Sequence, residues 1–175
     1  ILADDDERVR FFPWLLWDWR KDDGANTIGE CFLNEDLHSE FERRLLAGLC
    51  GSHIGFYEAL TDATLQGVKL QHLLTGRVVE LKDEGLDGEL LEGQILQCRL
   101  VEVACTNGNV EVLIDAVYAV LPAEASERIT RELNSLPAVA TGETLTLERF
   151  APELLEVAEQ ILDGLALPEE LSLIH

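Results

Sequence analysis

The chain has 175 residues, 47 % hydrophobic and 27 % charged, which is enough for one domain with its own core. Thirty-four Asp and Glu oppose 13 Lys and Arg, so the net charge is −21. The acids run through the whole length, and the folded surface is therefore expected to repel nucleic acid and anionic membranes and to steer basic partners inward.

The greasiest stretch, Phe11-Phe12-Pro13-Trp14-Leu15-Leu16-Trp17, falls well short of the roughly 18 apolar residues of a membrane span. Acids rather than bases precede it, unlike a signal peptide, and the chain does not begin with Met, which leaves open what precedes Ile1. Pro13 suits the first turn of a helix in which Phe12, Leu15, Leu16 and Trp19 share a face, stopped by Asp22-Asp23-Gly24. Thr27-Ile28-Gly29-Glu30 has capping-box spacing and predicts a short helix through Leu33. A longer helix is expected from an Asn34 cap, with an apolar stripe of Leu37, Phe41, Leu45 and Leu49, with Arg43 and Arg44 near its negative end and a left-handed Gly51 after it.

From Ile54 the pattern alternates. Strands are predicted near 54–61, 67–74, 77–82, 94–103 and 110–120, the last two joined through the turn Asn107-Gly108-Asn109. Helices are expected again over 123–135 and from Pro152 to about Leu162, where Phe150 and Leu155 have the spacing of a hydrophobic staple. The fold class is α+β: one domain over 1–175, helical over 1–53, β over 54–121 and helical over 122–175. Its centre is a small five-stranded antiparallel curled sheet or partly open barrel. An open sheet covered by helices is the alternative.

Trp14 and Asp18 four apart, Thr27, Ser52, Tyr57-Glu58, Leu73-Leu74-Thr75-Gly76 and Leu91-x-Gly93-x-x-Leu96-x-x-Arg99-Leu100 together resemble a family of uncharacterised bacterial proteins, across residues 11–121. These proteins are often found with helical repeats or a SEC-C zinc-binding tail. No closely spaced cysteines of such a tail occur here, so the resemblance implies architecture and neither zinc nor an activity.

The candidate chemistry is thin. Placing Gly24 at the sixth position of an EF-hand puts Trp19 and Lys21 where oxygen ligands belong, so calcium of that kind is rejected. Asp18 is expected to pair with Arg20 or cap a turn, with Asp22 and Asp23 in water. Cys50-Gly51-Ser52-His53 invites a nucleophile, but a thiol at a helix C-terminus in an acidic chain is poorly placed to ionise. Cys31, His38, Cys50 and His53 have zinc-ligand chemistry without zinc-module spacing, Cys98 reads as core, and Cys105 as the most exposed thiol. No Gly-x-Ser-x-Gly elbow or phosphate-cradling loop occurs.

Trp14, Trp17 and Trp19 span too much of one helix to share a narrow buried face. The favoured reading is therefore a non-enzymatic interaction module, without cofactor or metal, in the cytoplasm, docking a basic or hydrophobic protein through these tryptophans. The alternatives are a hydrolase-like enzyme using Asp18, Asp22, His53 or Glu58 between the first helix and the sheet, and a nucleic-acid mimic.

Overall fold

The computed structural model describes residues 5–22, 24–35, 38–82, 86 and 88–135, and of residues 5–10 the backbone alone. The helix expected over 152–162 and its staple lie outside the described residues. Helix α1 (Asp5–Trp17) is followed by α2 (Ile28–Leu33) and α3 (Glu40–Cys50). Strands β1 (His53–Ala59), β2 (Val68–His72), β3 (Val78–Leu81), β4 (Ile95–Ala104) and β5 (Val110–Leu121) follow, then a 3-10 turn (Ala123–Ala125) and α4 (Ser126–Ser135).

Local chemistry explains most of these bounds. Thr27 caps α2 in a full capping box: its hydroxyl accepts from the Glu30 N–H at 3.1 Å, and the Glu30 carboxylate accepts from the Thr27 N–H at 2.7 Å. Ser39, not Asn34, caps α3 by the same reciprocal arrangement with Glu42. The shift puts Arg43 and Arg44 in the first half of α3, where the Arg44 guanidinium holds Glu40 one turn back at 2.6 Å. The expected apolar stripe is also revised: Leu37 lies outside the described residues, Phe41 is exposed, and no residue of α3 is fully buried. Gly51 stays right-handed at φ −92°, because Ser52 closes the helix end with its N–H and hydroxyl both on the Leu49 carbonyl. Helix α1 starts earlier than Pro13 suggested and carries that proline inside it.

All five predicted strands form, in the antiparallel order β3-β2-β1-β4-β5. Gly108, at φ +82°, makes the turn between β4 and β5. Tyr57 on β1 stands opposite His72 of β2 and Leu96 of β4, and Ile54 stands opposite Arg99. The β4–β5 register slips twice, between Gln97 and Cys98 and between Arg99 and Leu100, leaving Tyr118 and Asp115 of β5 as the extra residues. Bulges of this kind bend and twist a strand. The sheet curls until β3 and β5, its two edges, come into contact, but they do not pair and the sheet is not closed.

Two cores result. On the face toward which the sheet curls, Tyr57, Val68, Leu70, Val79, Leu81, Leu96, Cys98 and Leu100 pack together, with Val112 and Ile114 of β5 beside them. On the other face Ile54, Phe56, Ile95 and Leu121 meet Ile129 and Leu133, one turn apart on α4, and Trp14 of α1 packs against this group. Helix α3 rides on β4 at Gly48, where an added Cβ would come within 2.7 Å of the Glu102 carbonyl oxygen.

That contact can be tested with a sign. Helix propensity alone would make Gly48→Ala stabilising by about 1 kcal/mol. Steric displacement of α3 instead predicts a loss of about 1–3 kcal/mol in urea unfolding. Gly51→Ala, whose Cβ would find ordinary contact at 3.5 Å, serves as the neutral control.

Candidate functional site

The end of α1, the α3–β1 junction and β4 converge on one buried cation. Arg99, fully buried on β4, donates through Nη2 to the Asp18 carboxylate just past α1, and through Nη1 to the Ser52 carbonyl (2.9 Å) and hydroxyl (3.1 Å). The Arg99 charge also acts on Tyr118 and Asp115, the two extra residues of the β5 bulges. Burial pushes the Tyr118 hydroxyl up, with Arg99 opposing the rise. The partner of Asp18 thus lies 81 residues away, while Arg20 grips Glu30 bidentately at 2.7 and 3.0 Å and bonds the Ala25 carbonyl at 2.6 Å. Those bonds hold the loop between α1 and α2 and lower the Glu30 pKa.

The other residues singled out by sequence scatter. Asp22 is exposed after α1, and Glu58 is half-buried on β1, opposite Gln71 and Ile95. His53 opens β1 opposite Leu100 and borders a cleft. Trp14 packs on the core; Trp17 lies on α2, its ring taking the space that a Cβ at Gly29 would need; Trp19 is exposed. Burial raises the Cys50 thiol, with Glu30 adding to the rise and Arg20 opposing it, and burial alone raises Cys98. Cys31, not Cys105, is the exposed thiol. The His38 ring stacks edge-on with Phe32 and meets the Phe32 carbonyl at 2.8 Å. Among the described residues no group of three or more His, Cys, Asp or Glu side chains is placed to hold a metal.

The cleft has a volume of about 520 Å³ and lies between the C-terminal half of α3 and the mouth of the curled sheet. Arg44, His53, Tyr57, His72, Thr75, Arg77 and Glu102 supply its polar lining; Ala47, Val79 and Leu100 supply apolar wall. Arg77 and Glu102 form an ion pair across it at 2.6 Å. His72 and Tyr57 meet edge-to-face at 4.9 Å. Both sit over Gly55, where a Cβ would come within 3.0 Å of His72 Nε2 and 2.8 Å of the Tyr57 ring. The N–H groups of Leu74 and Thr75 donate to His72 Nδ1 at 3.2 and 3.3 Å, so the neutral ring carries its proton on Nε2. Burial, with the charges of His53 and Arg77 behind it, pushes the His72 pKa down to about 4. Burial also raises the Tyr57 hydroxyl, with Cys98 and Glu102 adding to the effect, so it stays a donor.

Comparison with family models, with curated proteins and with solved structures finds no match. The site is therefore argued from its own geometry.

Sequence reading missed this cleft because its residues come from α3, β1, the end of β2, the turn after it, β3 and β4. No spacing connects them. The nearest signal was the turn Leu73-Leu74-Thr75-Gly76, whose N–H groups fix the His72 tautomer.

Two predictions follow from these environments. Asp18→Asn leaves the Arg99 charge buried without its counter-ion and should cost about 3–5 kcal/mol in denaturant unfolding, whereas the double variant Asp18→Leu with Arg99→Met should recover most of the loss. For His72, the folded state refuses a proton that the unfolded chain accepts below its ordinary value near 6.5. Its contribution is complete above that value and declines as pH falls toward about 4. On the order of 2–3 kcal/mol should be lost across that window, and His72→Asn should flatten this part of the stability–pH curve.

Proposed function

We propose that this chain is a non-enzymatic interaction module that docks a basic, apolar protein segment on the outer side of its first three helices. The observation that carries this reading is the exposure of large apolar side chains there: Trp19 at 39 %, Phe32 at 49 % and Phe41 at 62 %. Ile28 and Phe32 lie one turn apart on α2, so they share its outer face. Helices α1 and α2 pack together, as do α2 and α3. Aromatic anchors dominate binding energies, and exposed apolar patches mark interaction sites. Trp14 and Trp17 turn inward, so Trp19 is the tryptophan left for contact.

The net charge of −21 supports the choice of partner. A cationic segment is drawn in by the summed field, and its apolar residues then meet Phe32 and Phe41. The family resemblance seen in the sequence brings no activity and leaves the reading resting on this surface.

A defined probe tests it. An amphipathic Lys/Leu peptide should bind saturably and quench Trp19 fluorescence. A Phe32→Ala, Phe41→Ala double variant, folded by circular dichroism, should bind it at least about tenfold more weakly, in line with the loss of one or two aromatic anchors. Poly-lysine of equal charge should bind both proteins alike. If the double variant and the parent bind the amphipathic peptide equally, the surface is ordinary and the reading fails.

A further inference from the structure

The cleft carries a second inference, independent of the aromatic surface. We propose that it binds a small molecule with a single carboxylate on a short apolar body, the carboxylate accepting from His72 Nε2–H and the Tyr57 hydroxyl between Arg44 and Arg77, and the body lying on Val79 and Leu100.

Tyr57 and His72 are each only 8 % exposed. The hydrogen bonds of the His72 ring all fall on Nδ1, and the hydroxyl of Tyr57 has no hydrogen-bond partner among the described residues. Neither atom is sealed from solvent, so both donors open onto the cleft, where a ligand can take them. Here two neighbouring donors, both uncharged, border the same cavity of about 520 Å³. That volume is in the range of small-molecule sites. The donors are also pre-set. Backbone N–H groups lock the imidazole tautomer, and Gly55 leaves the space that the two rings occupy.

Charge selects the ligand class. The two arginines attract an anion, but each is already shared, Arg44 with Glu40 and Arg77 with Glu102. The surplus of positive charge is small. The carbonyl end of α3 borders the cleft at Ala47, Gly48 and Gly51, and it opposes a second negative charge. The whole-protein charge of −21 opposes it as well. A monoanion is therefore favoured over a phosphate dianion. The walls at Val79 and Leu100 are apolar and give the remainder of the ligand a surface to cover.

The test follows ring nitrogens and amides by NMR in the full chain at fixed ionic strength, with sodium benzoate and inorganic phosphate as probes. Benzoate should give saturable shifts at His72 Nε2 and at the amides of β1 and β2, and phosphate should bind at least tenfold more weakly. Tyr57→Phe, which removes the hydroxyl and keeps the ring, should weaken benzoate at least fivefold. Arg77→Gln, at an exposed side chain, should do the same and covers the case in which Tyr57→Phe fails to fold. The Phe32→Ala, Phe41→Ala variant should bind benzoate normally, so this inference and the docking surface fail separately. No saturable benzoate shift, affinity unchanged in the folded variants, or phosphate binding as tightly as benzoate would each overturn it.

Discussion

A guanidinium buried at the middle of β4 has to be matched in charge and in hydrogen bonds, because an ion taken from water without a partner costs several kcal/mol. Arg99 answers that demand through its two Nη groups, with parts of the chain that are far apart in sequence: Asp18 after α1 and Ser52 between α3 and β1; its Nε has no hydrogen-bond partner among the described residues. Its charge also acts on Tyr118 and Asp115, the extra residues at the two bulges of β5. The bond to Ser52 has a further effect. Ser52 also closes α3 through the Leu49 carbonyl, so the same cation anchors the end of α3 over the sheet. Satisfying Arg99 therefore fixes where the first and third helices sit.

The cleft depends on that anchoring. One wall is α3 and the other is the sheet mouth, and Gly48 lets the two approach until helix and β4 backbone touch. The bulges beside Arg99 also bend β5, and the bend helps bring the sheet edges together around the inner core. A buried ion pair adds little net stability compared with apolar packing, but it tolerates few alternative arrangements. Here it links the end of α1, the α3–β1 junction and β4.

Charge is distributed on two scales. Over the whole molecule the acids dominate, and their summed field attracts cations and repels anions. Within the cleft, local cations and neutral donors reverse the preference over a few ångströms. The long-range field is screened beyond about 8–10 Å at physiological salt, so the two scales coexist. The proposed docking surface and the proposed cleft site would thus take ligands of opposite charge.

What the sequence determined by itself was local: the five strands from their alternation, the β4–β5 turn from Asn107-Gly108, the cap at Thr27 and Glu30, and the α+β class that these imply. Each is set by backbone conformation and nearest neighbours, which a linear pattern records. The α3 cap at Ser39 was equally local in chemistry, and was overlooked because the apolar spacing of Leu37 and Phe41 suggested an earlier start. No helix among the described residues is long and apolar enough to cross a membrane, in keeping with the short apolar runs. Tertiary structure alone decided the partner of Asp18, the inward turn of Trp14 and Trp17, the exposure of Phe41 and the meeting of Tyr57, His72 and Arg77. Those outcomes depend on how far the sheet curls and on which distant group a buried charge finds, and neither is written in the spacing of residues along the chain.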